Sequence, residues 1–278
     1  MFERIVVGLD GSTASERVLA RLNDLRAVGT QSVALAWVVD VGITGGMAPN
    51  LVNGHVEWLR EKAWQLKGFD VSWHAPVGFP GYEITRLAEE LGASLVLIGS
   101  RGESLWRDAF LGSTASDTLR LSNVPVLIER TGQEDLIAPL RPLWERLLLA
   151  TDVSAAAERA EAVTCKLAPV AREIVVLSVV DEGTGQEQLR RLEEAASEHI
   201  RCLVDRCSGG GLKVSGKTAV GIASVNIIRT AEEIDASLII VGKRGRGRIR
   251  ELLIGSTAEA VARRASRPVL VVPNRNTN

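Results

Sequence analysis

Two stretches of this 278-residue chain carry the residues whose types and spacing could do chemistry. Gly99, Gly102, Gly112 and Ser113 follow the spacing Gly-x2-Gly-x9-Gly-Ser, and Gly242, Gly245, Gly255 and Ser256 repeat it. Glycines let backbone N–H groups approach an anion with no Cβ in the way, and a serine at a helix start adds a hydroxyl. The helix N-terminus adds unpaired donors and positive potential, so the pattern predicts phosphate binding. Asp10 in Asp10-Gly11-Ser12 and Asp152 in Asp152-Val153-Ser154 each end an apolar run. Set across a crevice from the glycine loop, either carboxylate would accept hydrogen bonds from ribose hydroxyls and complete a nucleotide site. The plainer alternative is that the aspartates cap helices and the glycines permit turns. Recurrence of the whole pattern in register weighs against it.

Other motifs resolve differently. Gly211 to Thr218 matches the P-loop expression Gly-x4-Gly-Lys-Ser/Thr. A working P-loop follows a strand and opens a helix, whereas this one leads into the extended Thr218-Ala219-Val220, so it is rejected. His199 and Cys202, with Cys207, form at most a partial metal set without paired spacing, and no metal site is assigned. The basic run Lys243, Arg244, Arg246, Arg248 and Arg250 has no aromatic platform beside it, which argues against nucleic acid. Trp58 and Trp64 are expected to pack on the helix that carries them. Three scattered histidines (His55, His74, His199) and no serine, histidine and acid arrangement leave no assigned catalytic residue. Asp40 or Asp181 could help hold Mg2+ for, at most, a weak ATPase.

The elements that must position these loops come from an internal repeat. Ile98 to Gly102 recurs as Val241 to Gly245, Gly112 to Ala115 as Gly255 to Ala258, and Pro125 to Leu127 as Pro268 to Leu270. The offset is 143 throughout, and Asp10 maps onto Asp152 after a one-residue adjustment. In the first half, strands are expected at Arg4 to Leu9, Ser32 to Val39, Asp70 to Pro76, Leu95 to Ile98 and Val124 to Ile128. In the second they are expected at Arg146 to Ala150, Glu173 to Val180, Lys213 to Ala219, Leu238 to Val241 and Val269 to Val272. Helices fill the gaps: Thr13-x-x-Glu16 resembles a capping box, Pro80 opens a helix and Gly92 follows its last turn. Strands alternating with helices, apolar enough to be covered on both faces, predict tandem doubly wound α/β domains over 1–133 and 143–278. Thr131 to Pro142 is the polar, proline-containing link.

Composition sets the class. Hydrophobic residues make up 46% and charged residues 24%, with no run long enough to span a membrane. Residues 1–130 carry 12 basic and 15 acidic side chains, a net of −3, and residues 143–278 carry 20 and 17, a net of +3. The N-terminal run reads as a strand rather than a secretory signal. Cys165, Cys202 and Cys207 are expected as free thiols, which suits the cytoplasm.

With those residues in view, the chain apart from linker and tail resembles a tandem universal stress protein. The resemblance rests on Gly8-Leu9-Asp10-Gly11-Ser12 and Ala150-Thr151-Asp152-Val153-Ser154, and on the segments Gly112 to Ile128 and Gly255 to Val271. It implies a five-stranded parallel sheet of order 3-2-1-4-5 in each half, and ATP (or ADP or AMP) as ligand. In the first half adenine would lie near Gly8, Leu9 and Val38, with ribose at Asp10. Phosphates would meet Gly99, Arg101, Gly102, Gly112, Ser113 and Thr114. The second half assigns Ala150, Thr151 and Val179, then Asp152, then Gly242, Arg244, Gly245, Gly255, Ser256 and Thr257. Five basic residues in the second loop, against Arg101 and Arg107 offset by Glu103 and Asp108, would favour polyphosphate in the second half. Val153 in place of Gly11 would restrict approach to the ribose. The family role implied is a nucleotide-responsive stress or energy-state regulator with an unknown protein partner. The two halves would pair through their last strands as an intrachain pseudo-dimer, with further self-association open.

Overall fold

The computed structural model describes residues 1–40, 48–101, 111–180, 185–245 and 254–274. The chain divides into two units, Met1–Leu140 and Arg141–Asn278. In unit 1 the elements are β1 (Arg4–Gly8), α1 (Thr13–Ala20), α2 (Leu22–Arg26), β2 (Ser32–Ala36), β3 (Val39–Asp40) and α3 (Ala48–Gln65). They continue with β4 (Asp70–His74), β5 (Val77–Gly78), α4 (Pro80–Glu90), β6 (Leu95–Gly99), α5 (Ser113–Leu121), β7 (Val126–Glu129) and α6 (Gln133–Ile137). Unit 2 runs β8 (Arg146–Thr151), α7 (Glu158–Leu167), β9 (Glu173–Val180), α8 (Gln186–Cys207) and β10 (Lys213–Val220). It closes with α9 (Ala223–Glu233), β11 (Leu238–Gly242), α10 (Ser256–Arg264) and β12 (Val269–Val272).

Five parallel strands of unit 1 lie in the order β4-β2-β1-β6-β7, and those of unit 2 in the order β10-β9-β8-β11-β12. Each is the expected 3-2-1-4-5 arrangement. Because the order reverses at the first strand, right-handed crossovers send helices to opposite faces. A sheet covered on both sides needs strands apolar on both sides, and Ile5, Val6, Val7 and Leu95 to Leu97 are all buried. The same holds for Leu147 to Leu149 and Leu238 to Ile240.

Several local expectations need correction. The second strand stops at Ala36; Val39 and Asp40 instead pair with Val77 and Gly78 in a separate two-stranded ribbon. The Thr13-x-x-Glu16 box is not formed: Ser12 is the N-cap and no side chain caps the helix. Its hydroxyl is taken by Asp10, as described below. Pro80 does open α4, and Gly92 follows it with φ +60°. Trp58 packs edge-on against Trp37 at 5.3 Å, but Trp64 is 79% exposed and not part of the core.

The cysteine expectation also fails. Cys165 on α7 and Cys207 at the end of α8 form a disulfide with Cα atoms 4.7 Å apart, leaving Cys202 as the exposed free thiol. Two helices packed on one sheet face bring together thiols 42 residues apart, a relation no local spacing reveals. The argument from free thiols to a reducing compartment falls with it. Among the described residues, no helix is long and apolar enough to cross a membrane.

Candidate functional site

In a parallel sheet every strand ends at the same edge, so β1 and β6 deliver Asp10 and Gly99 side by side where the strand order reverses. At that edge unit 1 has a cavity of about 700 Å3 and unit 2 one of about 180 Å3. Gly8, Leu9, Asp10, Val38, Gly99, Arg101, Gly112, Ser113 and Thr114 all line the first. Gly102 lies outside the described residues. All ten residues assigned in the second half line the other: Ala150, Thr151, Asp152, Val179, Gly242, Arg244, Gly245, Gly255, Ser256 and Thr257. Arg246, Arg248 and Arg250 of the basic run are outside the described residues, as are Arg107, Glu103, Asp108 and Asp181.

The two glycine loops are tied at their bases by the same bonds. The Gly112 N–H donates to the Ser100 carbonyl at 2.9 Å, and the Gly255 N–H to that of Lys243 at 2.8 Å. Each loop is anchored to the neighbouring strand in turn, Ser100 N–H to Glu129 O and Lys243 N–H to Val272 O, both at 2.7 Å. Gly112 and Gly255 then serve as N-caps of α5 and α10, where no side chain caps the helix. A glycine cap has no oxygen to offer the first-turn N–H groups, which therefore keep their affinity for an anion.

The aspartates are held rather than loose. Asp10 Oδ1 accepts from the Ser12 N–H at 3.1 Å, the Ser12 hydroxyl at 2.6 Å and the Ser15 hydroxyl at 2.9 Å. Asp152 Oδ1 accepts from the Ser154 N–H at 3.1 Å and its hydroxyl at 2.5 Å. The other oxygen, Oδ2, faces the glycine loop: a Cβ on Gly245 would stand 2.2 Å from it. Only glycine at 245 lets the loop close on the carboxylate, which is a steric reason for the second glycine of the motif.

Small compensations separate the two floors. A Cβ at Gly8 would meet Ile84 Cδ1 at 2.8 Å and Ile98 Cγ2 at 2.9 Å. Unit 2 has Ala150 at that position, with Val241 where unit 1 has Ile98 and Ile227 where it has Ile84, so its floor accommodates the extra methyl by other small shifts. After the aspartate, Gly11 adopts φ +73° and Val153 adopts φ +62°. A β-branched residue in the left-handed region carries a strain of about 1–2 kcal/mol, and strain of this kind gathers at functional sites.

Trp37, Ile84, Ala223 and Ile227 line the cavities although the sequence assigns them no site role, and Lys243 is more buried than its place in a basic loop implies. Lys243 is 5% exposed, and burial with the neighbouring Arg244 charge lowers its pKa to about 8. Its counterpart Ser100 bonds instead with Thr131, whose N–H donates to the Ser100 hydroxyl at 3.1 Å. Thr151 donates from its hydroxyl to Glu161 Oε1 at 2.6 Å, and His199 Nε2 lies 2.8 Å from the same oxygen. Of the partial set His199, Cys202 and Cys207, His199 is thus tied to a carboxylate and Cys207 to a disulfide, while Cys202 is an exposed free thiol. Pro80 and Ile84, or Ala223 and Ile227, line the cavities from α4 and α9. Trp37 and His55 also line the first. The false P-loop residues Gly216, Lys217 and Thr218 sit inside β10.

Comparison with known proteins agrees with this fold. The family model described as the universal stress protein family matches residues 1–130 and again 144–273. The chain is 24% identical to universal stress protein Rv2623 of Mycobacterium tuberculosis over 291 residues, covering 96% of this chain and 95% of that one. It is 28% identical to universal stress protein MJ0577 of Methanocaldococcus jannaschii over 159 residues, covering 49% of this chain and 98% of that protein. A crystal structure of a universal stress protein from Archaeoglobus fulgidus is similar with a TM-score of 0.73 at 26% identity, covering 99% of this chain and 98% of that one.

Proposed function

The chain belongs to the universal stress protein family, two of whose domains it carries in tandem, and from that premise we propose that it binds adenine nucleotides in both units and acts as a stress or energy-state regulator. The observation that supports this most is a convergence that occurs twice. In each unit a strand-end aspartate, a glycine loop and an uncapped helix N-terminus surround one cavity, at positions related by the internal repeat. Ribose hydroxyls donate to Asp10 or Asp152, and phosphates take the first-turn N–H groups of residues 113–114 or 256–257. Adenine lies against Gly8, Leu9 and Val38, or Ala150, Thr151 and Val179.

We take the role to be regulation rather than turnover. With Asp10 assigned to ribose, Asp40 at the first cavity would help hold a Mg2+ ion that accompanies polyphosphate. Nucleotide occupancy would then alter the surface presented to a protein partner. Lys243 and Arg244 give unit 2 two cationic side chains at its cavity against Arg101 in unit 1, so unit 2 is expected to hold ATP more tightly.

The test is denaturing release of small molecules from freshly purified protein, followed by chromatography and stoichiometry per chain. Near two adenine nucleotides per chain is the expected result. ATP mixed with its products would reopen hydrolysis. None retained and none bound on addition of ATP would leave a scaffold that acts by contacts alone and would end the nucleotide reading.

A further inference from the structure

The two cavities differ most where β2 ends. Around the unit-1 cavity stand Trp37, Val39 and Asp40 from the end of β2 and from β3, with His55 from α3. Nothing equivalent lines the unit-2 cavity among the described residues; the residue matching Trp37 is Ser178, which is buried within β9. The extra walls accompany a cavity of about 700 Å3 against about 180 Å3.

These walls form an ordered aromatic surface. The Trp37 ring lies over the Asp10-Gly11 turn so closely that a Cβ on Gly11 would stand 2.1 Å from Trp37 Cη2. His55 stacks on Trp37 with centroids 3.8 Å apart and planes 8° apart, and Trp58 braces it edge-on at 5.3 Å. Three neighbours fix the indole, yet it remains half-buried and lines the cavity. The Nδ1 atom of His55 is buried with no hydrogen-bond partner among the described residues. A buried polar atom without a partner costs about 1–3 kcal/mol, so the ring is under pressure to turn that edge toward the cavity. Burial lowers the His55 pKa, so the imidazole is neutral at physiological pH and offers a hydrogen bond, not a charge.

A planar heteroaromatic ring matches that surface, because it packs against the aromatic pair. A mononucleotide has one such ring, and the position by Val38 and Asp10 accounts for it. We propose that the unit-1 cavity accepts a dinucleoside polyphosphate, folded so that one base sits by Val38 and the second against the Trp37–His55 pair. This rests on the adenine-nucleotide reading of the same cavity. The phosphate chain keeps its place at the first-turn N–H groups of Ser113 and Thr114, and unit 2, with Ser178, takes mononucleotides.

The experiment uses the full chain carrying Asp152→Ala, so that unit 1 dominates. Diadenosine tetraphosphate and ATP are titrated by calorimetry and by tryptophan fluorescence. Diadenosine tetraphosphate is expected to bind at least tenfold more tightly than ATP. Trp37→Leu and, separately, His55→Leu are expected to weaken it by a factor at least five times larger than their effect on ATP. His55 is the second variant because α3 is an outer helix, which keeps the test valid if Trp37→Leu misfolds. Equal affinity for the two ligands, or equal loss on substitution, overturns the inference while ATP binding stands. Failure to bind either ligand overturns the nucleotide reading of unit 1 itself.

Discussion

Lys243 is the residue at which the two sites diverge most in charge. Its ammonium group is buried at the edge of the unit-2 cavity, where desolvation and Arg244 bring the pKa to about 8. A bound phosphate stabilises the protonated form and raises that pKa, so binding and protonation are linked. Below pH 8 the lysine is already charged and affinity is at its full value. As pH rises from about 8 toward the higher pKa of the complex, affinity falls by up to tenfold per pH unit, then levels off. Calorimetric titration of the Asp10→Ala chain with ATP between pH 7 and 9.5 should show this fall, and Lys243→Met should abolish it. A pH profile that survives Lys243→Met would mean another group titrates. The sequence announced a basic loop here, but not that its first member is buried, because burial is a tertiary property that the loop's own residues do not determine.

At the scale of elements, polar groups fix how helices sit on strands. Glu129 ends β7 fully buried, and its carboxylate accepts from Arg17 Nε at 3.1 Å and Arg21 Nε at 2.8 Å, both on or just beyond α1. Arg21 is itself only 2% exposed and continues to Asp24 at 2.7 Å. Breaking one partner of a buried ion pair leaves a charge without compensation and costs about 3–5 kcal/mol. Glu129→Ala should lower the unfolding free energy of unit 1 by that amount in urea, and adding Arg21→Met should restore much of it. Unit 2 has Val272 at the matching position, so it docks α7 differently. There the disulfide joins α7 to α8 across a separation of 42 residues. Chain-entropy arguments give about 4 kcal/mol for closing such a loop in the unfolded state. Dithiothreitol, or Cys165→Ser with Cys207→Ser, is expected to lower the stability of unit 2 accordingly. A change below about 1 kcal/mol would mean that the cross-link contributes little to the stability of unit 2.

What could be read in advance at this scale was whatever has a period or a fixed offset. Apolar runs at Arg4–Gly8, Leu95–Gly99 and their repeats gave strands, because a strand buried on both faces shows itself in every residue. Pro80 and Gly92 bounded α4 for reasons local to the backbone. The short β3–β5 ribbon did not show: two-residue strands form when a neighbour arrives, not because their own sequence requires it. The capping box failed for a related reason. Asp10 claims the Ser12 hydroxyl, and the turn it builds moves the helix start. Trp37, His55 and Glu129 meet their partners across distances in sequence that no motif spans.

For the whole molecule, duplication is what made the sites legible, since a glycine loop alone is weak and the same loop 143 residues later is not. Duplication also allows the copies to specialise. Gly11 with Trp37 in unit 1, and Val153 with Ser178 in unit 2, are alternative solutions to one turn. Lys243 in place of Ser100 shifts charge in the same direction as the −3 and +3 balance of the halves. Two sites of unequal strength give a definite thermal signature. A ligand that binds only the folded state stabilises it by RT ln(1 + [L]/Kd), about 2.7 kcal/mol at 100 times Kd. At an ATP concentration between the two dissociation constants, unit 2 should therefore be stabilised and unit 1 hardly at all. Five of the six tryptophans lie in unit 1, so their fluorescence follows that unit while far-ultraviolet dichroism follows both. The expected result is that low ATP raises the dichroism midpoint before the fluorescence midpoint moves. Asp152→Ala should erase the first response and leave the second, and Asp10→Ala should do the converse. If Asp10→Ala removes the response at low ATP, the order of the two sites is reversed, and Trp37 rather than Lys243 decides which unit senses nucleotide first.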